Sequence, residues 1–415
     1  MYGASAGTSQ RKRRSRILVM ILAVVGFSYG TVSGYFYLAS EQLAERAGVE
    51  LKRGQVASAR SRLDWVLWLH PRNAAANLVM GKVEFASGAT EKAIACFRVI
   101  QPSSSIHRTA SIELANALTM DGQITAAEVE LKQHLQRYEP TESVWDLYFR
   151  LLYLQTRTRD VISLFEQKLS QPPQSLSDAR FLLKAEFVPQ DPSETLATLE
   201  EILRRHPEEI NAQAALAVVL LRGGEFTRAE QLLRSVLDRQ PGHHRARIAL
   251  AQWLADQQRF SVAEDVLWQT TDDPDPDRSG GITQDDRYWG LSSRLAEQKG
   301  EIERALRCID RALQIRDNNK QYLAQRAQIL RQLLKPDEAT ISAQQSIEVG
   351  QIEQELFLLA RQFENRPIGL ADCQAVAGLY RKLRRPMRAE LWEHLAAQME
   401  QTQATTPERE GFGIQ

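Results

Sequence analysis

From residue 40 to about residue 400, apolar residues recur at intervals of three and four, interrupted at regular distances by Gly, Pro or a polar turn. That spacing places apolar side chains on one face of a helix, so the pattern predicts a succession of amphipathic helices and an all-α fold. Ahead of them runs Ile17–Ala39, "ILVMILAVVGFSYGTVSGYFYLA", with no charged residue. As a helix its 23 residues would reach about 34 Å, enough to cross the hydrocarbon core of a bilayer.

The helices repeat. Ile210–His243 and the stretch beginning at His244 both show an apolar helix, a break, an alanine and a second apolar helix. With windows of about 34 residues, the twentieth position is Ala59, Ala93, Ala127, Ala229, Ala263, Ala305, Ala339 and Ala389. Val161 and Thr195 depart from it. A turn glycine stands at Gly54, Gly88, Gly122, Gly224 and Gly300, and Gln155–Arg159 replaces it in one window. Proline closes windows at Pro71, Pro173, Pro207 and Pro241, with Pro102 and Pro140 nearby. Each type has a physical reason. Glycine adopts the left-handed conformation that ends a helix, alanine lets two backbones approach, and proline stops the second helix.

These residues resemble the tetratricopeptide repeat (TPR) family, which implies a solenoid of helical hairpins whose neighbours share one core. About ten repeats are predicted. They occupy 40–270 and 286–401, with an acidic Pro/Gly insertion at 271–285 between them. Glu348–Gly369 is read as one extra helix, Met387–Met399 as a capping helix, and 402–415 as a disordered polar tail.

Charge changes the reading of the amino terminus. Residues 1–16 form a disordered tail that ends in "RKRRSR", whereas the first acid of the chain is Glu41. Basic residues before the run and an acid after it favour a single-pass anchor over 17–39, amino terminus in the cytoplasm and body outside, as at a bacterial inner membrane facing the periplasm. The rival reading is a cleaved signal peptide with its apolar core at Ile17–Phe27, although neither Gly30 nor Gly34 makes a good cleavage site. Gly26, Gly30 and Gly34 repeat G-x-x-x-G twice along one helix face, a pattern that permits close helix approach and a homodimer through the span.

Beyond residue 40 the chain carries 47 basic against 52 acidic residues, a formal charge of −5, which argues against a nucleic-acid partner. Cys96, Cys308 and Cys373 are far apart and read as free thiols. No catalytic or phosphate-binding motif is present, so no enzyme, cofactor or metal is expected. Asp273, Asp275 and Asp277 alternate as in a calcium loop. Arg278 and Gln284, however, stand where such a loop needs Gly and Glu, and a solvated insertion is the expectation. His243 and His244 read as exposed turn residues, and Trp65, Trp68, Trp253 and Trp289 as packing residues.

What remains is surface. The TPR resemblance implies a concave groove lined from the first helix of each repeat, and here that carries over to Lys82, Asn116, Arg245, Gln252, Arg294, Gln298, Gln328 and Arg331. The carboxyl-terminal part of this set is cationic and amide-rich, suited to an acidic or extended peptide. Asn116 matches one residue of the chaperone-binding clamp, but Ile112 replaces its lysine, so that clamp is absent. The expected function is a non-catalytic, membrane-anchored scaffold or assembly factor for protein partners. A cytosol-facing anchored receptor and a regulatory subunit of a membrane enzyme are the alternatives.

Overall fold

The computed structural model describes residues 40–139, 141–169, 175–188, 192–268 and 281–405. The apolar run with Gly26, Gly30 and Gly34, the aspartates of the 271–280 stretch, Pro140, Pro173 and the last ten residues lie outside the described residues. Among the described residues there is no strand, and no helix is long and apolar enough to cross a membrane.

The chain divides into two compact units, Met1–Leu147 and Tyr148–Gln415. The first contains three helix pairs: α1 (40–52) with α2 (Val56–Leu69), α3 (Ala74–Ala86) with α4 (Thr90–Arg98), and α5 (His107–Asp121) with α6 (Ile124–Arg137). The division falls inside α7 (Glu142–Leu154). In the second unit the end of α7 leads into α8 (Thr158–Leu169), followed by α9 (Leu176–Phe187) and α10 (Pro192–Arg205). Next come α11 (Ile210–Gly223), α12 (Phe226–Arg239), α13 (His244–Asp256) and α14 (Phe260–Trp268). A 3-10 turn at Gly281–Gln284 precedes α15 (Asp286–Gln298) and α16 (Ile302–Ile315). The unit ends with α17 (Lys320–Gln332), α18 (Pro336–Gln362), α19 (Leu370–Lys382) and α20 (Pro386–Thr405).

The repeat chemistry behaves as its residue types dictate. The eight position-twenty alanines are all at most 2% exposed, and Val161 is as buried in the same place. Gly81 shows why the first helix needs a small residue. A Cβ there would stand 2.3 Å from the Phe97 ring, closer than real contacts allow. The turn glycines all have left-handed φ, from 76° to 98°. Where glycine is missing, Thr156, Gln258, Leu334 and Arg384 take φ near 55–60° instead, a conformation that L residues adopt at a cost. Some helices start on side-chain caps: Asn73 Oδ1 accepts from the Ala76 N–H at 2.8 Å, and Ser175 and Asp178 form a reciprocal capping box.

Three expectations need correction. Glu348–Gly369 is not a separate helix, because α18 runs unbroken from Pro336 to Gln362, 27 residues or about 40 Å. Gly350 lies inside it with no turn signal around it, so nothing stops the helix there. The last helix extends past Met399 to Thr405, so the polar tail begins helically. Trp65 and Trp68 do not pack in the core, being 49% and 78% exposed, whereas Trp289 is buried.

The second unit closes on itself. Helix α9 packs against α18 and α20, elements far along the chain. At their junction Glu186 receives hydrogen bonds from Arg385, from Arg388 Nη1 at 2.6 Å and from the Tyr380 hydroxyl at 3.1 Å. Arg388 Nη2 also reaches Glu166 of α8 at 2.7 Å, and Lys184 pairs with Glu364 at 2.7 Å.

Candidate functional site

Inside the second unit a cavity of about 910 Å³ is walled by α11, α13, α15 and α17, the first helices of four consecutive repeats. Its opposite wall is the α7–α8 turn, Gln155–Asp160. The lining carries six arginines, Arg157, Arg159, Arg222, Arg245, Arg287 and Arg294, against two aspartates, Asp160 and Asp256. Amides (Gln252, Gln321, Gln325 and Asn319 among them) alternate with Val218, Leu221, Phe226, Trp253 and Leu291. Such a wall offers forked donors for carboxylates and main-chain carbonyls beside apolar surface for side chains.

The turn is held by charge. Arg159 pairs with Asp286, and Asp286 Oδ2 accepts from the Tyr322 hydroxyl at 2.8 Å. Burial, then the Asp286 charge, push the Tyr322 phenol up, which keeps it a donor across the working range of pH. Arg245 Nη2 donates to Gln155 Oε1 at 3.4 Å, so α13 also meets the turn. Asp285 caps α15 through the Arg287 N–H at 3.0 Å and pairs with the Arg287 guanidinium. Burial raises the Asp285 carboxyl, but the Arg287 hydrogen bonds and charge outweigh it and hold the group below its ordinary range. Arg294 pairs with Asp256 at 2.5 Å across α13 and α15. Arg222 is exposed and has no ion-pair partner among the described residues.

Gly290 sets the width of one wall. A Cβ there would stand 2.6 Å from Tyr322 Cε1, so any side chain must displace that ring.

Of the residues singled out by sequence, Arg245, Gln252 and Arg294 come together in this cavity. Gln298, Gln328 and Arg331 are exposed outside its lining, and Gln328 donates to Glu297 at 2.7 Å. Lys82 and Asn116 belong to the first unit, where Lys82 pairs with Glu113 at 2.9 Å. Sequence reasoning missed the α7–α8 turn, Arg287 and Tyr322. The signal for the turn was there: it is the segment that lacks the repeat glycine.

His243 is also corrected, being 7% exposed rather than an open turn residue. Its Nδ1 accepts from the Ala246 N–H at 3.1 Å and caps α13, while Nε2–H donates to Asn211 Oδ1 at 3.3 Å. This pairing requires the neutral ring, and burial, then the Arg245 charge, push His243 down to about 4. The three cysteines are free, Cys308 and Cys373 buried and Cys96 half-buried, and burial raises each thiol. Among the described residues no group of three or more His, Cys, Asp or Glu is placed to hold a metal ion.

Two stretches of the chain, residues 45–106 and 189–252, match tetratricopeptide repeat family models. A Caenorhabditis briggsae protein described as tetratricopeptide repeat protein 21 homolog is 24% identical over 164 residues. That stretch is 40% of this chain and 12% of the relative, so the chain spans a small part of that protein's length. Among solved structures, MamA residues 41 to the end from Desulfovibrio magneticus RS-1 shows 16% identity and a TM-score of 0.32, covering 42% of this chain and 93% of that one. MamA from MSR-1 shows 16% identity and a TM-score of 0.31, over 42% and 94% of the respective chains.

Proposed function

We propose that this repeat protein is a non-catalytic, membrane-anchored scaffold that takes an extended segment of a partner protein in the channel of its second unit. The observation that carries this reading is the channel itself. Four consecutive first helices present arginines and amides beside apolar side chains over one continuous concavity. An extended peptide exposes main-chain donors and acceptors along its whole length, and a concave helical array meets them with many shallow contacts. Arg157, Arg159, Arg287 and Arg294 are paired with Asp160, Asp286, Asp285 and Asp256, and the exposed Arg222 offers its guanidinium to a segment that carries carboxylates.

The anchor part of the proposal rests on the uncharged run 17–39 and the basic residues ahead of it. It puts the body outside the cytoplasm and raises the local concentration of partners at the membrane. Gly26, Gly30 and Gly34 supply a face through which two anchors can meet.

The test is purification of the full chain from detergent-solubilised membranes, with and without Arg222→Glu and Arg245→Glu, followed by mass spectrometry. The proposal expects a protein that accompanies the wild type and is lost from the double variant. An unchanged set of companions would rule out the channel as the binding surface. Protease accessibility of the carboxyl terminus in spheroplasts decides the side: cleavage without lysis is expected, and protection would favour a cytosol-facing receptor.

A further inference from the structure

Helix α2 is apolar on two faces, and the first unit uses one of them. Ala59, Leu63 and Val66 are buried in a core shared with α1 and α3. Trp65 and Trp68, three residues apart and so on one face of the helix, point to solvent with 49% and 78% of their surface exposed. Neither makes a hydrogen bond or ring contact among the described residues.

Their position is informative. Asn73 Nδ2 donates to Ser40 Oγ at 3.0 Å, and both residues are buried. This bond ties the first described residue to the loop that directly follows α2. Residue 40, the one that follows the uncharged run in the sequence, therefore lies near the carboxyl-terminal end of α2, and Trp68 lies within about one helical turn of that end. Pro71 and Arg72 are exposed at the same end. Tryptophan favours the headgroup layer because its ring is apolar while its indole N–H keeps a polar partner. The exposed charges that flank the pair in sequence have opposite signs, Asp64 and Arg72. The face thus suits an interfacial lipid contact rather than an electrostatic one.

We propose that Trp65 and Trp68 seat in the headgroup layer of the membrane from which the 17–39 segment emerges, holding the first helical hairpin against the bilayer. This inference rests on the anchor reading above. It gives the first unit a fixed attitude at the membrane that a single span and a free hinge would not impose.

The test uses the full chain, residues 1–39 included, reconstituted into phosphatidylcholine vesicles with bromine at shallow acyl positions. Flotation reports the anchor, and quenching of tryptophan emission reports the docking. The proposal expects the wild type to float and to be quenched, and the Trp65→Phe, Trp68→Phe double variant to float with that quenching lost. Quenching should persist at high salt, since no net charge drives the contact. Flotation with no quenching, or with quenching equal in the double variant, overturns the docking and leaves the anchor standing. That includes the case in which a second copy or the chain's own amino terminus covers the two rings. Failure to float overturns the anchor and the docking together.

Discussion

Glu186→Gln tests the closure of the second unit, because it removes one negative charge from a cluster that holds two guanidiniums out of water. The Glu186 side chain is 5% exposed, and those of Arg385 and Arg388 are 14% and 10%. Burial, then the neighbouring Arg388 charge, push Arg385 down, while the Glu166 charge opposes this; Glu186 is the carboxylate that bonds both arginines. Loss of one partner from a buried pair costs about 3–5 kcal/mol, since the remaining charge stays desolvated. Here Arg388 keeps Glu166, whose side chain is 33% exposed, and glutamine retains one acceptor, so the low end, about 3 kcal/mol, is expected. The control is Glu393→Gln, which breaks an exposed pair with Arg381 and should cost less than about 1 kcal/mol. Hydrogen exchange is the assay of choice, because a repeat array opens locally before it unfolds globally. Amides of α9, α19 and α20 should exchange faster in Glu186→Gln, with those of α13 unchanged. If Glu186→Gln behaves like the control, the closure is not held by this cluster and the reasoning fails.

Other outcomes follow from single residues. His243 has its folded value depressed to about 4, against an ordinary value of about 6.5. Its stabilisation is therefore complete above about pH 6.5, falls as pH drops toward 4, and amounts to roughly 3 kcal/mol. The urea midpoint should fall over that window, and His243→Asn, which keeps a capping oxygen, should flatten the change. Leu334 is 88% exposed with φ of 58°, so Leu334→Gly relieves left-handed strain at little contact cost. A gain of about 0.5–1 kcal/mol is expected in a thermal melt. Gly290→Ala drives a methyl into the Tyr322 ring and should cost about 1–3 kcal/mol while loosening the Tyr322–Asp286 bond. Calorimetry checks the first effect and hydrogen exchange in α17 the second.

Local chemistry was legible from residue types, because each repeat states its own rules. Ala229 and Gly224 mark a packing point and a turn whatever lies elsewhere in the chain. The channel was half legible: Arg245, Gln252 and Arg294 follow from their places on first helices. The wall opposite them was not, because Gln155–Asp160 comes from a repeat some 90 positions away, Gln155 reaching Arg245. The closure through Glu166, Glu186 and Arg388 joins residues more than 200 positions apart, and superhelical curvature accumulates over many repeats rather than appearing in one. Trp65, Trp68 and His243 were misread for a simpler reason. A periodic position says which face of a helix a residue occupies, and in a terminal repeat that face can lack a neighbour, while a turn residue such as His243 can be covered by the repeat before it.

A partner segment lying in the channel of the second unit can be caught where it sits. A photo-crosslinking residue placed at Gln252, on the lining, and separately at Arg234, exposed on α12, tests this in intact membranes of the native cell. Crosslinks are expected from position 252 to one contiguous segment of a partner protein, and none to that segment from 234. Crosslinking of the same partner from 234 but not from 252 would contradict that placement.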